Sequence, residues 1–169
     1  MITSAGYETS TTAPRTEAGV VVGVDGTPHA HAALAWAVDY ARRTGSRVRA
    51  VAVWAPPVPS IAGPELGAGA LMHTQVTDLS DDQMAAVAER SLEAAVAELP
   101  DGSGALVDFS VEPGDPAAVL LAAAEGAELL VLGNARHGAL VSAVTASVAA
   151  RCNHHATCPI VLVPAPPAD

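Results

Sequence analysis

The chain has 169 residues, enough for one domain with its own core. Half of the residues are apolar and only 3% are aromatic, which excludes a disordered chain and predicts a core of Val, Leu, Ile and Ala, the composition of parallel strands under Ala-rich helices. A formal charge of −10 argues against nucleic acid and anionic membrane surfaces, since both need basic patches, and no apolar run is long enough to span a bilayer.

Residues 1–18 are rich in Ser and Thr, show no basic-then-apolar signal pattern, and are expected to form a flexible tail. The Val-rich run 19–24 reads as a central strand buried on both faces. Asp25-Gly26-Thr27-Pro28 follows, with Thr27 placed to cap a helix that starts at Pro28. Ala30, Ala33, Leu34, Ala37 and Ala41 recur at helical spacing. Arg42 and Arg43 complement the helix dipole, and Gly45 suits a left-handed stop. His29 and His31 lie two apart and do not share a helix face, so they are not expected to form a metal pair.

Residues 48–54 form a second strand. The segment 55–77 is the longest irregular stretch, with Pro56, Pro57, Pro59 and Pro64, and is expected to act as a loop covering a site. Trp36 and Trp54 are expected to pack rather than to form a substrate platform. Ser80-Asp81-Asp82-Gln83 is a capping box. Behind it Met84, Val87, Ala88, Leu92, Ala95, Val96 and Leu99 make an apolar stripe, ended by Pro100-Asp101-Gly102. Val107, Phe109 and Val111 alternate with Asp108 and Ser110, the period of an edge strand with one wet side. Asp115-Pro116 opens the next helix and Gly126 closes it.

The apolar run 129–132 reads as a buried strand. After it comes GNARHGALVSAVTASV, residues 133–148, read as a polar glycine-bearing loop and then a helix N-terminus around Ser147. Backbone N–H groups and a helix dipole at such a junction favour a phosphate. A helix over about 143–153 and a strand over 160–163 complete the chain. Cys152 and Cys158 would close only a very short loop, so both are expected to be reduced and the protein cytoplasmic. With His154 and His155 they make a C-x-H-H-x-x-C cluster, but this spacing fits no standard zinc pattern and no metal is expected.

Alternating strands and helices predict an α/β fold, an open parallel sheet with helices on both faces. Ligands of such sheets lie beyond the C-terminal strand ends, where the strand order reverses. The two most apolar strands, 19–24 and 129–132, are expected to be neighbours there. Asp25 and the Gly133 segment would then face one crevice. Thr27 and Ser147 also carry local readings, as helix caps.

This pattern resembles the universal stress protein family (UspA-like, the ATP-binding subgroup with a degenerate glycine motif). The residues that carry the resemblance are Val21-Val22-Gly23-Val24-Asp25-Gly26-Thr27, Val111-Glu112-Pro113-Gly114-Asp115-Pro116, Leu130-Val131-Leu132-Gly133 with Ser147-Val148, and Cys158-Pro159-Ile160-Val161-Leu162-Val163. It spans a domain of residues 19–163, leaving the tails 1–18 and 164–169. The resemblance implies a five-stranded parallel sheet of order 3-2-1-4-5, Rossmann-like and similar to the adenine nucleotide alpha hydrolases.

Many members of that family bind ATP through a Gly-x-x-Gly-x9-Gly-Ser/Thr pattern. Here Gly133 keeps the first glycine, Arg136 replaces the second, Ala146 replaces the third, and Ser147 keeps the hydroxyl. Glycine allows a close backbone approach to phosphate, which Arg136 lacks, but a guanidinium can offer a bidentate contact instead. The resemblance puts Val24, Asp25 and the Val53 backbone on the adenosine, and Gly133, Asn134, Arg136, Ser147 and Val148 on the phosphates. Magnesium would accompany ATP. It further implies a stress-response regulator and a homodimer joined through the last strand, which is short, apolar and terminal. No lysine lies in the glycine loop and no nucleophile elbow is present, so no enzyme beyond a very slow ATPase is expected. The alternative is a nucleotide-free, dimeric protein-interaction module that kept the fold and lost the ligand.

Overall fold

The computed structural model describes residues 19–54, 80–100, 102–134 and 143–164, with the side chains of 143–147 left aside. The expected covering loop 55–77, the tail 1–18, residues 165–169 of the expected tail 164–169, and Arg136 lie outside the described residues; Pro164 ends the last strand.

Five strands form one parallel sheet: β1 (Val20–Gly23), β2 (Val48–Trp54), β3 (Val107–Pro113), β4 (Leu129–Asn134) and β5 (Ile160–Pro164), ordered β3-β2-β1-β4-β5. Four α-helices alternate with them: α1 (Pro28–Thr44), α2 (Asp81–Ala97), α3 (Pro116–Ala123) and α4 (Ala143–His155). The expected strand order therefore holds. β1 pairs with β2 on one side and β4 on the other, as the adjacency of the two most apolar runs requires.

The period of two in β1 assigns its valines to opposite layers. Val20 and Val22 turn to the side covered by α1 and α2, where they meet Leu34, Ala37 and Leu92. Val21 turns to the side of α3 and α4, among Leu120, Leu130 and Cys152. Each fully buried Val or Leu contributes about 1.5–3 kcal/mol relative to exposure. With so few aromatics, many small contributions of this kind hold the sheet between its helices. Trp36 packs rather than lines a site, stacking on Tyr40 with ring centroids 5.4 Å apart.

The helix ends follow their local chemistry. Thr27 caps α1 by accepting from the Ala30 N–H at 3.4 Å, Pro28 fills the first turn, and Gly45 ends the helix at φ 78°, in the left-handed region that favours glycine. Ser80 and Gln83 form both halves of the capping box of α2. Asp115 caps α3 by accepting from the Ala118 N–H at 2.9 Å, and it also takes Arg151 Nη1 of α4 at 2.7 Å. These contacts, Arg151 first, hold the Asp115 carboxyl below its usual range.

At the N-terminal end of the sheet, Glu128 accepts from the Tyr40 hydroxyl at 2.6 Å and from Ser46 at 2.7 Å. These bonds tie the end of α1 to the start of β4 and lower the Glu128 carboxyl's pKa. The opposite, C-terminal end of the sheet carries no such clamp between β1 and β4 among the described residues.

One boundary and two residue roles differ from the sequence analysis. β4 runs on through Gly133 and Asn134, which pair in register with Val163 and Pro164 of β5. Gly133 is therefore the last part of a strand rather than the first part of a loop, because the parallel ladder to β5 continues past the apolar run. Helix α4 begins at Ala143, as the expected span of about 143–153 has it, so Ser147 is its fifth residue rather than its cap. On edge strand β3, Val107 and Val111 pack on the core but Phe109, on the same face, stays 52% exposed.

Candidate functional site at the strand-order reversal

β1 and β4 are adjacent, yet their connections leave to opposite faces of the sheet. That divergence opens a crevice beyond their C-terminal ends. A cavity of about 140 Å³ lies there. Gly23, Val24 and Asp25 at the end of β1 form one side, with Leu132 and Gly133 at the end of β4 beside them. Val51 and Val53 of β2, Pro116 and Leu120 of α3, and Val148 and Ala149 of α4 complete an apolar floor and wall.

Polar groups enter at two points. Asp25 is exposed at the mouth, and its Oδ1 accepts from the Thr27 N–H at 3.1 Å and from the Thr27 hydroxyl. This local turn fixes the carboxylate at the rim of the crevice while Thr27 caps α1. The second polar group is His29, in the first turn of α1. Its Nε2 is buried and, among the described residues, has no hydrogen-bond partner.

Gly133 explains how α1 reaches the sheet there. A Cβ on Gly133 would lie 2.7 Å from the carbonyl carbon and oxygen of His29 and from its ring Cδ2. No side chain fits, so glycine at this position sets the distance between β4 and the start of α1. The constraint lies in packing, not in a left-handed backbone.

Of the residues expected to form the site, Val24, Asp25, Val53, Gly133 and Val148 come together around this cavity. Asn134 ends β4 half-buried, opposite Pro164, and is not among the lining residues. Arg136 lies outside the described residues, as does the side chain of Ser147. The sequence reading missed His29, Pro116 and Leu120. For His29 the available signal was its place just inside a capped helix that follows a central strand. For Pro116 and Leu120 there was none, because reaching the crevice depends on how α3 crosses the sheet.

The cluster at the end of α4 behaves differently. Cys152 is fully buried and Cys158 half-buried, both as free thiols, and burial pushes the Cys152 thiol's pKa up. His154 and His155 are exposed on the last helical turn. Among the described residues, no group of three or more His, Cys, Asp or Glu converges as metal ligands would.

Sheet order, crevice and lining define a doubly wound α/β protein with a ligand-sized cleft at its switch point, the architecture of nucleotide-binding folds. The sequence profile of the universal stress protein family matches residues 19–164, and the chain belongs to that family. A universal stress protein of Mycobacterium bovis is 26% identical over 160 residues, covering 92% of this chain and 50% of the relative. The chain thus spans about half the length of the curated relatives it matches. The solved structure of UspA from Lactobacillus plantarum superposes with a TM-score of 0.64 at 20% identity, covering 86% of this chain and 97% of the other. A universal stress protein solved in complex with cAMP superposes at 0.51 with 18% identity, over 89% of this chain and 98% of the other. No helix among the described residues is long and apolar enough to cross a membrane.

Proposed function

We propose that this protein binds an adenine nucleotide, ATP or a close relative, and works as a nucleotide-responsive regulator rather than as an enzyme. The observation that carries this reading is the cavity between Asp25 and Gly133 at the β1–β4 reversal. Its apolar walls, Val51 and Val53 on one side and Leu120 on another, suit a flat base. Asp25 at the rim offers a carboxylate to ribose hydroxyls or to an amino group. Gly133 leads into residues 134–148, where Asn134, Arg136, Ser147 and Val148 would hold the phosphates and any magnesium bound with them. The family relative solved with cAMP supports an adenine ligand for this type of fold. The loop sequence carries no lysine to stabilise a transferring phosphoryl group, which favours binding over turnover.

Calorimetry with ATP and mass spectrometry of the denatured purified protein test the reading. ATP binding by the native chain is expected, with Asp25→Ala weakening it about tenfold or more by deleting a charged acceptor. No co-purified nucleotide and no heat at millimolar ATP would sink it. If the native chain is silent while Arg136→Gly combined with Ala146→Gly binds, the protein is instead a nucleotide-free interaction module that lost its ligand with those glycines.

The same reading includes a homodimer through β5. This strand is the edge next to β4, and Leu162 stands 45% exposed on it. An apolar edge of this kind is a template for pairing, and twofold symmetry is the commonest way to satisfy it. Light scattering at micromolar concentration is expected to give twice the monomer mass. A monomer mass there, unchanged on adding a charge by Leu162→Lys, contradicts the dimer.

A further inference from the structure

We propose that His29 is a ligand-contacting residue whose Nε2 hydrogen-bonds the phosphate chain of the bound nucleotide. The inference rests on the nucleotide reading above and extends it to a residue outside the glycine motif.

Two observations converge on His29. Its Nε2 is buried without a hydrogen-bond partner among the described residues, a condition that folded proteins rarely leave unmet and that often marks a place reserved for a ligand or water. It also lines the same cavity as Asp25 and Gly133. The residue that carries the orphan nitrogen thus belongs to the crevice lining.

The position of the ring indicates which part of the ligand it meets. Its Cδ2, bonded to Nε2, lies 2.7 Å from where a Gly133 Cβ would be. Nε2 therefore stands beside Gly133 at the end of β4, a residue that the nucleotide reading sets on the phosphates. It also sits in the first turn of the 17-residue helix α1, where the dipole favours an anion over a cation. An imidazole N–H facing phosphate oxygen matches a donor to an acceptor. Gly133 acquires a second purpose in this arrangement: without a Cβ it lets the His29 ring lie against the strand end.

The test compares two substitutions that fill similar space. His29→Gln keeps an N–H donor, and His29→Leu removes it. Calorimetry of the full chain with ATP and with adenosine is expected to show His29→Leu binding ATP about tenfold more weakly than native, with His29→Gln within about threefold. Adenosine, which has no phosphate, should bind both variants as it binds the native protein. ATP binding that is equal in the Gln and Leu variants overturns the proposal, and so does a parallel loss of ATP and adenosine, which indicates packing alone. A native chain that binds neither compound fails at the nucleotide reading itself and takes this inference with it; binding by the native chain with equal variants refutes only the role of His29. Thermal melting of both variants reports any loss of fold separately.

Discussion

Gly133→Ala is expected to destabilise the protein by about 2–4 kcal/mol and to lower its melting temperature by roughly 6–12 °C, the scale for overpacking in a chain of this size. The added methyl would meet three atoms at 2.7 Å, and two of them are the carbonyl carbon and oxygen of His29. Backbone in the first turn of a helix cannot rotate away as a side chain does. Either α1 lifts from β4 or the end of β4 leaves its pairing with Val163. Trimming the ring with His29→Ala should therefore fail to rescue Gly133→Ala, since the backbone contacts persist. Gly23 is the control. The three nearest atoms a Cβ there would meet are Leu120 and Leu132 methyl carbons at 3.1–3.3 Å, which can shift, so Gly23→Ala should cost markedly less. Paired thermal melts decide the matter: equal midpoints for Gly133→Ala and the native chain would show that the contact relaxes freely.

This glycine shows how much of the molecule was legible in the sequence. Its family motif suggested a conformational or phosphate-binding reason for glycine, but the geometry points to close packing between a strand end and a helix start. Sequence patterns report local demands, and contacts between β4 and α1 are not local. The elements themselves were readable because their signals are local. Thr27 with Pro28, the Ser80–Gln83 box and Asp115 with Pro116 each announce a helix start within four residues, and all three hold. The two doubly buried strands were readable because β1 and β4 lie between helices on both faces, which removes the polar alternation seen in β3.

The boundaries around the site were harder for the same physical reason. The apolar run stops at Leu132, so the strand was expected to stop there. The ladder to β5 carries it on through Gly133 and Asn134, since backbone pairing needs no apolar side chain. Ser147 looked like a cap because a hydroxyl near a helix start usually is one, whereas α4 already begins at Ala143. His29 went unnoticed as a candidate because two histidines flanking a helix start were weighed as a metal pair. In the structure they part company: His31 Nδ1 lies 2.7 Å from Glu98, and His29 faces the crevice.

Leu34→Ala separates stability from binding, and it is expected to cost about 2–5 kcal/mol, the range for emptying a packed leucine site. Leu34 is fully buried in α1, in the cluster that joins Val20, Val22 and Val131 to α2 through Leu92. The buried layer is built from Val, Ala and Leu, and the large side chains packed against it, Trp36 and Tyr40, are held in a ring stack with each other, so neither is free to fill the space. A cavity should remain, and the loss should fall in the upper part of that range. Yet Leu34 is outside the crevice lining, and α1 is anchored independently at its start by Thr27 and at its end by Tyr40 bonded to Glu128. Below its lowered melting point the variant should therefore bind ATP within about twofold of native, since distant sites contribute independently. Gly133→Ala should lose both stability and affinity, because it moves the crevice itself. Denaturant unfolding and calorimetry on the two variants give four numbers. The interpretation fails if Leu34→Ala weakens binding as strongly as Gly133→Ala, for then α1 transmits core disruption to the site and the crevice is not set locally by Gly133 and His29.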